Sequence, residues 1–170
     1  MDRDHLEHAG AQAGLLVARV LPGVVFVFHG SQKLFGAFDG PGLAGFAGYL
    51  DALGVPAPAL NAAVAASVEL VGGLALLTGV GQRIVAAPLA FTMLVAAFLA
   101  HGGAFDAGKG GMEYPLTLAF VVIGLGLTGP GRLTLATLAR RLRRGAAAGR
   151  DGGLASSFTA ATTTTTTTAR

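Results

Sequence analysis

The sequence predicts an all-helical integral membrane protein, built as a bundle of four transmembrane helices with short interfacial helices. Of its 170 residues, 52% are hydrophobic and only 12% are charged, about half the charged share of soluble domains. Four apolar runs are each long enough to cross a bilayer as a helix of about 17–25 residues. The chain has no cysteine, which excludes disulfides and thiolate metal sites formed by this chain alone.

The predicted spans run through residues 14–31, 57–80, 84–100 and 112–128. Most Lys and Arg residues follow the fourth span, and Arg83 lies between the second and third, whereas the other two connections hold only Lys33 and Lys109. The positive-inside rule therefore predicts that both termini are cytoplasmic. Because this topology accounts for the basic residues, and no aromatic residues alternate with them, we expect no nucleic-acid binding.

Outside the spans the composition changes along the chain. We expect a cytoplasmic N-terminal segment at residues 1–13, a membrane domain at 14–131, a basic interfacial helix at 132–145 and a disordered Ala-, Gly- and Thr-rich tail at 146–170. Between the first two spans, apolar residues recur at helical spacing, at Leu43, Phe46, Leu50 and Leu53. This spacing predicts a short helix that lies on the outer membrane face.

Glycines inside the spans predict where helices approach each other closely. Gly72 and Gly73 lie in the second span, and Gly124 and Gly126 lie in the fourth. Helix association in lipid depends on packing, and small residues allow two backbones to come together. We therefore expect all four glycines to lie at helix–helix contacts.

Two ionisable residues, Arg19 and Glu69, lie well inside the predicted spans. An ionised side chain near the bilayer centre costs at least about 2.5–3.5 kcal/mol, so each needs a partner. A rise of about 1.5 Å per residue places Arg19 about 7–8 Å, and Glu69 about 15 Å, from the same cytoplasmic edge. We expect a buried Arg19–Glu69 ion pair, which either locks helix register or forms a proton or substrate site.

A second set of polar residues falls at the outer end of the predicted bundle: His29, Lys33, His101, Lys109, Glu113 and Tyr114. The simplest interpretation is anchoring at the interface with a surface bridge between Lys33 and Glu113. A second is a quinone headgroup site, in which His or Lys donates to a carbonyl and Glu113 relays a proton. A third and weaker interpretation is a haem held by His29 and His101.

No metal site is expected at the N-terminus. His5 and His8 are three residues apart, which can place both on one helical face, but no further ligand is near them in the sequence.

The order and spacing of these residues resemble the DoxX family of small four-helix bacterial membrane proteins. The resemblance covers about residues 14–135 and is carried by Arg19, the Gly30-x-x-Lys33-Leu34 ending of the first span, Glu69-Leu70-Val71-Gly72-Gly73, Glu113-Tyr114-Pro115 and Thr128-Gly129-Pro130-Gly131-Arg132. It implies a multi-pass protein of the bacterial inner membrane. Family members are described as oxidoreductases or quinol-oxidase-associated subunits, and some are linked with complexes that handle oxidative and thiol stress.

We therefore expect a redox-associated, quinone-linked subunit that lies in the lipid bilayer and acts with soluble or membrane redox partners. Any thiol chemistry in such a complex belongs to a partner, because this chain has no cysteine. Two alternatives stay open. One is a small transporter or proton-coupled permease, whose path the two charged levels would mark. The other is a non-catalytic scaffold that recruits partners through its interfacial helices.

Overall fold

A computed structural model describes residues 3–141, and their side chains from residue 7 onward. Residues up to Thr134 belong to one compact unit. Its helices are α1 (Arg3–Phe35), α2 (Gly42–Ala52), α3 (Pro58–Thr78), α4 (Gln82–Val95) and α5 (Glu113–Thr128). Within the described range there is no strand, and the prediction of an all-helical membrane bundle is confirmed.

Three helical segments are long and apolar enough to cross a membrane: Glu7–Phe35, Pro58–Thr78 and Gln82–Ala100. The third joins α4 to a π-helical turn at Ala96–Ala100. The 16-residue helix α5 is apolar but shorter, about 24 Å long at 1.5 Å per residue. The first helix is longer than predicted, because regular helix extends back to Arg3.

The second compact unit begins at Leu135. Its described part, residues 135–141, is helical. The remainder of the predicted interfacial helix at 132–145, and the whole predicted tail at 146–170, lie outside the described residues.

Helices α1 and α3 pack antiparallel through glycines. A Cβ atom on Gly30 would lie 2.6 Å from the backbone nitrogen of Leu70, and one on Gly73 would lie 2.7 Å from the backbone nitrogen of Val27. The two backbones approach this closely because neither glycine has a side chain. These contacts fix which residues of α1 and α3 lie at the same level.

Each remaining predicted packing glycine has its own environment. A Cβ atom on Gly72 would lie 2.5 Å from Leu89 Cδ1, and one on Gly126 would lie 2.6 Å from Ala86 Cβ, so both face α4. Gly124 is exposed, and within the described residues no atom beyond its chain neighbours and its own helix backbone lies within 4 Å of its Cβ position, so the expected contact there is wrong. Residues two apart on a helix point about 200° apart, so Gly124 and Gly126 cannot both face α4.

The short helix predicted between the first two spans is present as α2, and it packs mainly against α3 and also against α1. Its half-buried positions include Phe46 and Leu50. Helix α2 thereby lies beside the candidate site, since Phe46, Tyr49 and Leu50 line a cavity together with Glu69 of α3.

The tight α1–α3 contact is tested by Gly73→Ala. The added methyl meets backbone atoms, the Val27 nitrogen and the Gly23 oxygen 2.8 Å away, and backbone cannot rotate aside as a side chain can. Overpacking of this kind costs about 1–3 kcal/mol, which thermal unfolding in detergent measures. Gly124→Ala is the matched control, and we expect it to leave stability unchanged or slightly raised. Equal effects of the two substitutions would contradict the packing described here.

Candidate functional site

Arg19 is buried as predicted, with 2% of its surface exposed, but its partners are backbone carbonyls. Its Nη1 donates to the Pro130 oxygen at 2.7 Å and its Nη2 donates to the Leu133 oxygen. The expected Arg19–Glu69 pair is wrong because Arg19 lies level with Gly79, whose Cβ position is 2.6 Å from Arg19 Nη1. Gly79 is ten residues beyond Glu69, which corresponds to about 15 Å along α3.

Other side chains at this level also bind carbonyls near the end of α5. Buried Gln82 donates through Nε2 to the Leu125 oxygen at 2.7 Å, and exposed Arg83 makes a longer contact of 3.4 Å with the Thr128 oxygen. The last carbonyls of a helix have no partner within the helix. Arg19, Gln82 and Arg83 therefore cap the C-terminal end of α5 and the turn that follows it.

The partner of Glu69 is Lys33. Lys33 Nζ lies 2.6 Å from Glu69 Oε1 and 2.8 Å from Oε2. The Glu69 side chain is 2% exposed and that of Lys33 is 24% exposed. Phe46 of α2 faces the same ammonium, whose Nζ lies 5.0 Å from the ring centroid, a cation–π contact. The surface bridge expected between Lys33 and Glu113 is therefore also wrong.

Two cavities meet at this ion pair. The first, about 590 Å³, lies among α2, α3, α4 and the π-helical turn, and its lining includes Phe46, Tyr49, Val64, Phe91 and Leu99. The second, about 430 Å³, lies beneath the 101–112 loop and is lined mainly by α1, α5 and that loop. Lys33, Glu69, Ala96 and His101 line both cavities. The ion pair thus forms part of the wall between them.

The structure brings together four members of the predicted outer cluster. His29, Lys33, His101 and Tyr114 all line the second cavity, together with Glu69, which the sequence predicts at the other level. Lys109 and Glu113 line neither cavity. Glu113 instead accepts a hydrogen bond from the Ala107 backbone nitrogen at 2.9 Å, so it holds the loop in place.

Three features of the site have no clear signal in the sequence. Gln82 is a polar residue at the edge of an apolar run, and nothing marks it as buried. The role of Phe46 depends on α2 folding back over Lys33. The first cavity depends on the spacing of three helices. The ion pair has one signal, the Gly30-x-x-Lys33 ending of α1. That signal predicts the pair with Glu69 only when the register of α1 and α3 is known.

The Lys33–Glu69 pair predicts a particular pattern of stability. Glu69→Ala should lower the free energy of unfolding by about 3–5 kcal/mol, because it leaves the ammonium of Lys33 half-buried without its partner. Replacing both residues, as Lys33→Met with Glu69→Leu, should recover most of that loss because no charge remains. Reversible unfolding in mixed detergent micelles measures both variants. A double variant that is less stable than the single one would contradict this interpretation.

The carbonyl contacts of Arg19 predict a loss of stability in Arg19→Met. Hydrogen bonds from a charged donor contribute about 1.5–3 kcal/mol each, and two are removed. Arg83→Met is the matched control, because Arg83 is exposed and makes only the longer contact; its effect should stay within about 0.5 kcal/mol. The same unfolding assay measures both, and similar losses in the two variants would refute the proposed capping role of Arg19.

Comparison with known proteins agrees with this architecture. The DoxX family profile matches residues 14–102. The chain is 34% identical to the inner membrane protein YqjF of Escherichia coli over 124 residues, which cover 72% of this chain and 88% of the relative. It is 32% identical to the putative oxidoreductase CatD of Bacillus subtilis, covering 73% and 85% of the two chains. No solved structure matches it significantly. The chain belongs to the DoxX family of membrane proteins.

Proposed function

We propose that this protein is a redox-associated subunit of a complex in the bacterial inner membrane, and that it binds the headgroup of a membrane quinone in the first cavity. The observation that carries the proposal is the position of the Lys33–Glu69 ion pair at the wall of a largely apolar cavity. A quinone has the same two-part character, a ring with hydrogen-bonding carbonyls on an apolar chain.

The size and lining of the first cavity suit such a ligand. Its volume of about 590 Å³ lies within the range of about 300–1,000 Å³ that is common for small-molecule sites. Phe46, Tyr49 and Phe91 are aromatic residues of its lining. Phe91 and Val64 are exposed residues within the long apolar helices, so we expect a ligand to enter from the lipid between α3 and α4.

The ion pair supplies the polar end of the site. An ammonium group has three N–H donors, and Lys33 donates to the two carboxylate oxygens of Glu69. At least one N–H can therefore turn toward a quinone carbonyl in the first cavity. Hydrogen bonds from an ionised donor are roughly twice as strong as neutral ones, so Lys33 would both orient the ring and favour negative charge on its oxygen.

The membrane orientation belongs to the same proposal. We place α5 as a fourth span and both termini in the cytoplasm. Arg83 lies where α3 connects to α4, and Arg132, Arg140 and Arg141 follow α5 in the sequence, so the positive-inside rule puts these ends in the cytoplasm. Lys33 then lies near the outer end of α1, and Arg83 and Arg132 lie at the cytoplasmic end of the bundle. Two relatives are named as inner membrane proteins and one as a putative oxidoreductase, which supports both the location and the redox role.

Filling the first cavity tests the proposal. Ala65 is half-buried and lines the cavity, so Ala65→Phe should abolish retention of a short-chain quinone, decylubiquinone, by protein in lipid nanodiscs. Ala59→Phe is the matched control, since Ala59 lies on the same helix, is exposed and lines neither cavity; it should bind as the wild type does. Extraction and chromatography of the retained quinone measure both.

Lys33→Met should weaken quinone retention by more than the loss of folded protein explains. Thermal unfolding of the same sample measures the folded protein. Wild-type protein that retains no quinone from native membranes or from added decylubiquinone would overturn the proposal. Proton-coupled flux of a solute in liposomes that is lost in Glu69→Gln would favour a permease in its place.

A further inference from the structure

The second cavity differs from the first in what surrounds it. The exposed residues that line the first cavity are mostly apolar and lie on the long helices, as Phe91 and Val95 do. The exposed residues that line the second include Ala107 and Gly110 of the 101–112 loop. The first cavity therefore faces the sides of the helices, and the second faces the loop at their end.

Titratable groups from α1, α3, α5 and the 101–112 loop converge on the second cavity. His29 comes from α1, Tyr114 comes from α5 and His101 follows the π-helical turn after α4. They share the cavity with both members of the ion pair. In the adjoining loop, Asp106 accepts a hydrogen bond from the Gly108 nitrogen and Lys109 is exposed. Glu113, the first residue of α5, accepts one from the Ala107 nitrogen. None of these three charged residues lines the cavity.

His101 is held in a defined orientation between the two cavities. Its backbone nitrogen donates to the Ala96 oxygen five residues earlier, the bond that defines a π turn, and its ring Nδ1 lies 2.8 Å from the Gly110 oxygen. A carbonyl oxygen only accepts, so Nδ1 carries a hydrogen. In the neutral ring, Nε2 then has the free lone pair that accepts a proton.

We infer that the second cavity is an aqueous vestibule through which the Lys33–Glu69 pair exchanges protons with the outer side of the membrane, with His101 as the relay. We infer the vestibule from the second cavity, independently of any quinone. Only its role in quinone reduction rests on the proposed function. In that reaction a quinone in the first cavity would take its protons from the outer aqueous phase.

The balance of the step is simple. A quinone takes up two electrons and two protons to become a quinol. The electrons come from a reduced flavin or dithiol on a partner protein. His101 Nε2 first takes a proton from hydronium in the vestibule. Lys33 gives a proton to a carbonyl oxygen of the reduced quinone and then, as a neutral amine, regains one from Nε2 of the protonated His101. A second passage along the same route supplies the second proton.

The first experiment needs no quinone and no partner. The native chain lacks cysteine, so single cysteines can be placed without background. Met93 and Leu89 are both buried on α4, but only Met93 lines the second cavity. In intact cells, a membrane-impermeant methanethiosulfonate cation should modify Met93→Cys and leave Leu89→Cys unmodified. Lys109→Cys, in the exposed loop, is the positive control, and mass spectrometry reads out all three.

A cysteine in the first cavity extends this test. Phe91→Cys should resist the charged reagent and react with lipid-soluble N-ethylmaleimide. An unmodified Met93→Cys beside a modified Lys109→Cys would overturn the vestibule. Modification of Met93→Cys from the cytoplasmic side alone, in inside-out vesicles, would overturn its assignment to the outer face. Neither result would affect quinone retention in the Ala65→Phe comparison, so failure of the vestibule and failure of the proposed function are distinguishable.

The second experiment tests the relay. Decylubiquinone bound in nanodiscs is reduced with dithionite, and the reaction is followed by absorbance. His101→Ala should slow reduction, measured per quinone retained, on the order of 100-fold, a usual contribution of general acid–base catalysis. Added imidazole should restore the rate in His101→Ala and leave His101→Phe slow, because the Phe ring fills the space. A rate in His101→Ala equal to that of the wild type, or a slowed rate that imidazole does not restore, would overturn the relay.

Discussion

The ion pair between Lys33 and Glu69 is the interaction on which the rest of the structure depends. Glu69 lies eleven residues into α3, about 17 Å from its start, and its side chain is almost fully buried. A carboxylate at that depth is tolerated only when a cation compensates it closely. Lys33 reaches it because glycines let α1 and α3 approach to backbone contact at Gly30 and Gly73. The ion pair therefore requires the close packing of α1 and α3.

The same pair explains the course of the chain between α1 and α3. The chain turns back after Phe35, and α2 then packs on both helices and brings Phe46 over the Lys33 ammonium. This covers the ion pair from one direction and leaves a cavity on either side of it. For stability alone, packed apolar side chains could replace this pair at little or no cost. Both of its residues also line the two cavities, so the pair is accessible from each of them.

The sequence was sufficient to predict the helical class, the short helix between the first two spans and the burial of Arg19. It was insufficient for the pairing. Depths for Arg19 and Glu69 were counted from separate span ends, which assumes that both helices end in one plane. In the structure, the Gly30–Leu70 contact sets the register and puts Arg19 level with Gly79. Periodicity identifies the face on which a residue lies, but it does not fix which residues of two helices lie side by side.

Arg19 and Lys33 differ in the kind of group that each of them binds. Arg19 binds the carbonyls of Pro130 and Leu133, which do not titrate, and an arginine side chain stays protonated in proteins. The hydrogen bonds of Arg19 therefore do not depend on a change of protonation. Lys33 and Glu69 share short hydrogen bonds between two titratable groups, so a proton can pass between them within the pair. A change of charge at the cavities therefore acts on the end of the bundle that contains this pair, while the contacts of Arg19 at the other end stay the same.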